Sequence, residues 1–503
     1  MLKSLLLLSL LITTVVRAQK IADPRPFAAA ITAADLQKHL YIVAGKDFEG
    51  RETATPGQRK AAAYIEDHFR SLGLLPGNKS SYQMFYPVFQ DSLLNASIEV
   101  NGEHFQLNED LAVNLSADYT ATLLGSEVVF AGYGFSDSSR DDYKGLDARG
   151  RIVLVLNGNP PGQPASSIAA TPRRVSPLNA KVQAAQKNGA VALLILQSGF
   201  PRRSFGSKGN MYLDGYRTAN GPEVYMISDK IAKAILGADY GEATGNNPQS
   251  RSYTVNTKLE FSKNTTELQS SDVLGFLEGT DLKDQLVVIS AHYDHLGKRD
   301  TVIYYGADDD GSGTVSVLEL AQAFAKARAA GKGPRRSILF LANSGEEKGL
   351  WGSEYYTDHP SYPLENTTVD LNIDMIGRID PNRKHGDSTN YVYVVGDDKL
   401  SSDLKPISET TNKKYTKLEL DYKFNDPNDP ERIYYRSDHF NFARKGVPII
   451  FYFDGIHKDY HRPTDTPDKI NYDILEKRAR LVFFTAWDMA NRNEMLKRDI
   501  PLK

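Results

Sequence analysis

Cysteine is absent from all 503 residues. That excludes disulfide staples, thiolate metal sites, a thiol nucleophile and a lipidated N-terminal cysteine. No excess of one charge exists either: 60 Lys and Arg stand against 63 Asp and Glu, a net charge of −3. A chain so balanced carries no electrostatic footprint for nucleic acid, and none is expected as a partner. Long apolar runs are also missing. The longest, from Leu5 to Val16, falls short of the ~20 residues of a spanning helix, so no integral membrane segment is expected in the mature chain. Compositional bias is lacking too, with 41% hydrophobic, 24% charged and 10% aromatic residues, which excludes fibrous and low-complexity classes. At ~100–200 residues per domain, the length predicts two to four units with real cores.

What is present begins with a leader. Lys3, the apolar run and the small residues Val16 and Ala18 read as a secretory signal peptide over 1–18, cut after Ala18. Export to a periplasmic or extracellular location follows. Cleavage removes Lys3 and Arg17 and no acid, so the mature chain is more acidic than the precursor.

The remaining chain changes texture twice. Residues 19–119 include TPGQRKAAAYIEDHFRSLG, where Ala62, Ile65, Phe69 and Leu72 share one helical face behind an early Pro56. Residues 120–264 hold strand-like SEVVFAGYG, RIVLVLNG and AVALLILQ, a Pro/Gly/Ser-rich loop and one helix, and read as a small β-rich inserted domain. From 265 to 503, apolar strands QLVVISAH, RSILFLAN, VDLNIDM, YVYVVG and VPIIFYF alternate with helices at 312–330, about 398–411 and 471–492. Such alternation predicts an α/β fold with a mixed, largely parallel sheet covered by helices on both faces.

Metal-ligating residue types recur at the ends of those strands, where open α/β sheets place their ligands. In AHYDHLG, His292 and Asp294 are two apart on an extended chain, and a carboxylate so placed can hold the second nitrogen of a metal-bound imidazole. GADDDGSG stacks three acids, Asp308 to Asp310, which repel one another unless a cation neutralises them. Glu346 and Glu347 end the next strand, where one acid can bind metal while the other takes a proton from water. Asp374 sits among apolar residues, a costly place for an unpaired carboxylate. Tyr460 and His461 follow the last strand. Two histidines with three or more carboxylates match the nitrogen and oxygen donor set of a two-zinc site.

Other chemistries lack support. Ser437-Asp438-His439 has the residue types of a hydrolase triad, but contiguous side chains diverge rather than converge. Neither G-x-S-x-G nor a phosphate-binding G-x-x-x-x-G-K-[ST] occurs.

The order AHYDHLG, GADDDGSG, SGEEKGLWGSEYY, NIDMIGR, SDHFNFARKGVP and DYHRPTDT resembles the secreted co-catalytic zinc aminopeptidases of the bacterial leucyl-aminopeptidase and glutamate carboxypeptidase type. The block between the two halves resembles the protease-associated domain that many members insert. The resemblance implies two Zn2+, one held by Asp309, Glu347 and His461, the other by His292, Asp309 and Asp374, with Asp309 bridging and Asp308 or Asp310 as alternatives. It implies a cis peptide after Asp309, Glu346 as general base, Asp294 behind His292, and Tyr460 as the hydroxyl facing the oxyanion. The activity implied is removal of N-terminal residues from peptides with a free N-terminus, by water that the metals and Glu346 activate. A carboxypeptidase or dipeptidase, with Arg378, Arg432 or Arg436 receiving a carboxylate, is the alternative on the same fold. A glutaminyl cyclase and a non-catalytic receptor-like binding protein stand behind it. The sequence leaves oligomeric state and the preferred N-terminal residue open.

Overall fold

The computed structural model describes residues 21–115, 120–138, 140–161, 176–197, 199–201, 208–213 and 221–502. The leader expected at 1–18 and most of the Pro/Gly/Ser-rich loop lie outside the described residues. Two compact units emerge, one from 1–86 with 270–503 and one from 87–269.

In the first unit the apolar runs form the predicted sheet. Its order is Glu419–Asp421, Tyr391–Val395, Ile449–Phe453, Thr367–Ile373, Leu282–His292, Arg336–Asn343, the 273–277 end of Arg251–Leu277, and Leu75–Pro76. The four central strands, from Ile449–Phe453 to Arg336–Asn343, run parallel, and antiparallel pairings flank them. Strand geometry turns successive side chains to opposite faces. Val287, Ile289 and Ala291 therefore join one core with the helices Ala33–Val43, Pro56–Ser71, Gly313–Ala329 and Tyr472–Asn491. Leu286 and Val288 join another with Tyr356 and Phe442, from the helices Trp351–Asp358 and His439–Arg444. Both faces are covered, which is why these strands read as unbroken apolar runs.

Local chemistry sets the helix ends. Thr32, Thr55 and Asn471 each cap a helix by accepting a backbone N–H, and Pro56 sits where no intrahelical donor is needed.

The second unit has its own cores. Ala121–Phe130, Ile152–Leu156, Ala192–Leu196 and Glu223–Ile227 run parallel in that order, edged by Leu111–Asn114, with Arg251–Leu277 antiparallel to the first. The boundary expected near residue 120 falls instead after Tyr86. Residues 87–119 supply Leu111–Asn114 to this sheet, and Ile98, Val100 and Phe105 to its core, so they fold with the insert.

Candidate metal centre

The parallel strands end in step. His292 pairs with Asn343, and Ser290 with Asn372, so the residues that leave these strands emerge along one carboxyl edge. His292 closes its strand, Asp374 follows Ile373 directly, and Glu346 and Glu347 start a short turn, Glu346–Lys348, just beyond Asn343. Asp309 precedes the helix Gly313–Ala329, and His461 lies past Ile449–Phe453. Met375 and His461 both hold the left-handed backbone region, with φ of 60° and 56°. Such conformations persist in bulky residues only where surrounding structure imposes them.

Asp309 stands between two donor groups. Its Oδ2 lies 3.0 Å from His461 Nε2, which is also 3.1 Å from Glu347 Oε2. Its Oδ1 lies 3.3 Å from His292 Nε2, which is 3.6 Å from Asp374 Oδ1 and 3.9 Å from Glu346 Oε2. The neighbouring acids are committed to the scaffold. Asp310 accepts the N–H groups of His292, Gly313 and Met375 at 2.8–3.2 Å. Asp308 accepts Gly377 N–H at 2.7 Å and faces His457 Nε2 at 3.2 Å. The peptide from Asp309 to Asp310 is cis.

His295 is the residue sequence reasoning missed. It is fully buried, with Nδ1 2.7 Å from Glu347 Oε1 and 4.0 Å from Asp309 Oδ2. The motif AHYDHLG contained it, but it lies past the strand end, where period-two reasoning no longer applies.

Asp294, expected behind His292, has a wider role. Its backbone carbonyl, 3.2 Å away, is nearer to His292 Nδ1 than its carboxylate at 3.7 Å. The carboxylate accepts Thr53 Oγ1–H at 2.6 Å and Glu346 N–H at 3.2 Å. Tyr460 stacks its ring on His461, centroids 3.8 Å apart, and its hydroxyl oxygen accepts from Arg436 at 3.2 Å.

The electrostatics call for a cation. Burial opposes a charged His461, yet the Asp309 and Glu347 carboxylates outweigh it and hold the imidazole up to about 10. Burial likewise opposes the Asp309 anion, but His292 and His461 keep it well below the usual carboxylate range. For Glu346, burial prevails and pushes the carboxyl well above that range. The buried atoms His292 Nε2, His295 Nδ1, Asp309 Oδ2 and Glu347 Oε1 face ring nitrogens or carboxylate oxygens at 2.7–3.3 Å but make no hydrogen bond of good angle among the described residues. Buried polar atoms are rarely left so, and an imidazole and carboxylate set suits zinc. The residues present fit two such ions.

Beside the acids lies a pocket lined by Met375, Ile433, Phe451, Phe453 and Ile456, with Arg436 and Tyr460 also in its wall.

The chain is similar to several known proteins. Over 217 residues the chain is 29% identical to a probable leucine aminopeptidase of Arthroderma otae, covering 42% of this chain and 56% of that protein. It is 26% identical over 242 residues to aminopeptidase YwaD of Bacillus subtilis, covering 46% and 47% of the two chains. The chain thus spans about half the length of the curated relatives it matches. An aminopeptidase from Aneurinibacillus sp. strain AM-1 shares the fold at 20% identity and a TM-score of 0.56, covering 95% of this chain and 99% of that one. The segment 272–486, which carries every one of the ligand-type side chains gathered here, matches the model of Peptidase family M28.

Proposed function

We propose that this protein is an exported two-zinc aminopeptidase. The observation that carries the reading is Asp309, whose two oxygens face separate donor groups: His461 and Glu347 on one side, His292 and Asp374 on the other. Zinc bound there would supply Lewis acidity that polarises the scissile carbonyl and acidifies water.

The chain's own residues do the rest. Glu346 takes the proton from the attacking water and returns it to the leaving amine, a task suited to a buried carboxyl with a raised proton affinity. Because Arg436 has only donors to offer, Tyr460 accepts from it and keeps its own O–H proton for the oxygen that gains charge. The carboxylates of Asp309, Glu346 and Asp374 line the pocket and suit a free α-ammonium group. Met375, Ile433, Phe451, Phe453 and Ile456 suit an apolar N-terminal side chain. The leader at 1–18 accounts for export, and the unit 87–269 is read as a protease-associated insert.

Arg436 supports a second reading, a dipeptidase, because it is the cation in the pocket lining and could receive a C-terminal carboxylate. Arg378 is engaged instead with Asp459 at 3.0 Å. Matched peptides with free, blocked and amidated ends separate the two. Aminopeptidase action is lost on N-blocking and survives amidation; a dipeptidase that needs the carboxylate loses activity on amidation as well.

A further inference from the structure

Three consecutive residues outside the stretch 272–486 touch three of the loops that carry the metal-centre residues. We propose that Arg51-Glu52-Thr53 is a clasp that positions the general base and the ligand loops. The proposal rests on reading Glu346 as the base and His292, Asp309 and Glu347 as ligands.

Arg51 is fully buried and donates only to backbone carbonyls. Nε reaches Tyr293 at 2.6 Å, Nη1 reaches Val43 at 2.9 Å and Tyr305 at 2.8 Å, and Nη2 reaches Gly306 at 2.9 Å. Its own carbonyl accepts His295 N–H at 3.2 Å. One guanidinium therefore ties the loop after His292 to the loop that leads into Asp308 to Asp310. A fixed fork of five donors is what such a junction of carbonyls requires.

Glu52 and Thr53 grip a third element, the turn Glu346–Lys348, at both ends. Glu52 Oε1 accepts Lys348 Nζ at 2.8 Å, while Oε2 accepts Arg299 at 2.9 Å. Thr53, fully buried, donates its hydroxyl proton to Asp294 Oδ2 at 2.6 Å, and Asp294 Oδ1 accepts Glu346 N–H at 3.2 Å.

The backbone of this segment is shaped by its contacts. Glu49, Gly50, Arg51 and Ala54 all take the left-handed region, with φ of 49°, 70°, 53° and 60°. At Gly50 a Cβ would meet the carbonyl oxygens of Gly297 and Tyr304 at 2.4 Å, so only glycine permits this approach. Sparsely populated conformations gathered in six residues mark a segment held in place by what it holds.

Without the Thr53 hydroxyl, Asp294 Oδ2 is buried without its donor, the carboxylate is free to rotate, and the N–H that anchors Glu346 loses its partner. Misplacing a catalytic group by about 1 Å costs on the order of 10²-fold in rate. Thr53 touches neither substrate nor metal, so it is a positioning residue. The test uses the full chain with Thr53→Val, Thr53→Ser and Glu52→Gln. The readouts are kcat and KM on an amino-acid anilide, zinc affinity by chelator competition, and Tm in excess chelator. Thr53→Val should lower kcat and zinc affinity by roughly 10–100-fold, leaving KM unchanged and lowering the metal-free Tm by no more than about 3 °C, and Thr53→Ser should restore kcat and zinc affinity to within about threefold. Glu52→Gln should shift kcat in the same direction by less. The proposal is overturned if Thr53→Val stays within about twofold of the parent in kcat and zinc affinity, if serine does not rescue, or if the metal-free Tm falls in step with activity. If the parent binds zinc but cleaves neither anilide nor peptide, the peptidase reading fails, and the zinc-affinity arm still decides the clasp.

Discussion

At the scale of single residues, Glu346 and Glu347 are adjacent yet live in different fields. Burial opposes the Glu347 anion and Asp309 repels it, but His295 and His461 outweigh both and hold its carboxyl below the usual range. Glu346 is pushed the other way by burial. Glu346→Gln should therefore lose at least ~10²-fold in kcat with metal content unchanged, whereas Glu347→Gln should lose metal. Elemental analysis beside steady-state kinetics reads both. His439 carries a different prediction. Its ring lies flat on Phe451, Nε2 donates to the Tyr434 carbonyl at 2.8 Å, and burial drives its pKa down to about 3. The unfolded chain takes up a proton near pH 6.5 that the folded chain refuses until about pH 3, so stability is whole above 6.5 and is lost as pH falls. Between pH 6.5 and 4.5 the loss from this group is roughly 2–3 kcal/mol. His439→Phe should flatten that part of the urea-denaturation profile.

At the scale of elements, the helix Tyr472–Asn491 shows what a buried charge can hold. Arg478 donates to the carbonyls of Tyr391, Ile376 and Arg378 at 2.7–2.9 Å and pairs with Asp454 at 3.3 Å. Arg478→Met keeps the bulk but leaves the buried Asp454 without its counter-charge and takes a donor from three carbonyls, and should cost about 3–5 kcal/mol of unfolding free energy in urea. Elements of this kind differ in how plainly sequence announces them. RSILFLAN is fully buried from end to end as the strand Arg336–Asn343, because its unbroken apolar centre, Ile338 to Ala342, suits the middle of a parallel sheet. His292, Glu346, Glu347 and Asp374 were legible for the same reason, each closing or following a recognisable strand, whereas His295 was not. Gln83–Val100 was not legible as part of the insert, since an alternating strand does not say which sheet it joins. Thr53 was invisible as well: its partner lies 241 residues away, and no local period encodes such a contact.

At the scale of the whole molecule, the chain leaves the first unit and returns to it at one place. Tyr86 and Ser270 both hydrogen-bond the Ser344 hydroxyl, at 2.8 and 2.9 Å. Each unit has a core built from its own residues. A chain in which 87–269 is replaced by a short Gly/Ser linker should therefore fold, bind two zinc ions and cleave small anilides; atomic absorption and a thermal melt check this. In the intact protein, zinc at about 100 times its Kd should raise unfolding free energy by about 2.7 kcal/mol, an increment that calorimetry with and without chelator measures.

The clasp also imposes an order in time. A ribosome delivers residues 51–53 long before Asp294, and at ~5–20 residues per second the 241 positions between Thr53 and its partner take roughly 10–50 s to make. Through that interval the Arg51 guanidinium has none of its carbonyls from 293–306 to bind, and the unit 87–269 is completed before the interval ends. His461 arrives later still. A growing chain consequently cannot assemble the full donor set around Asp309 and Glu347 until residue 461 has been made.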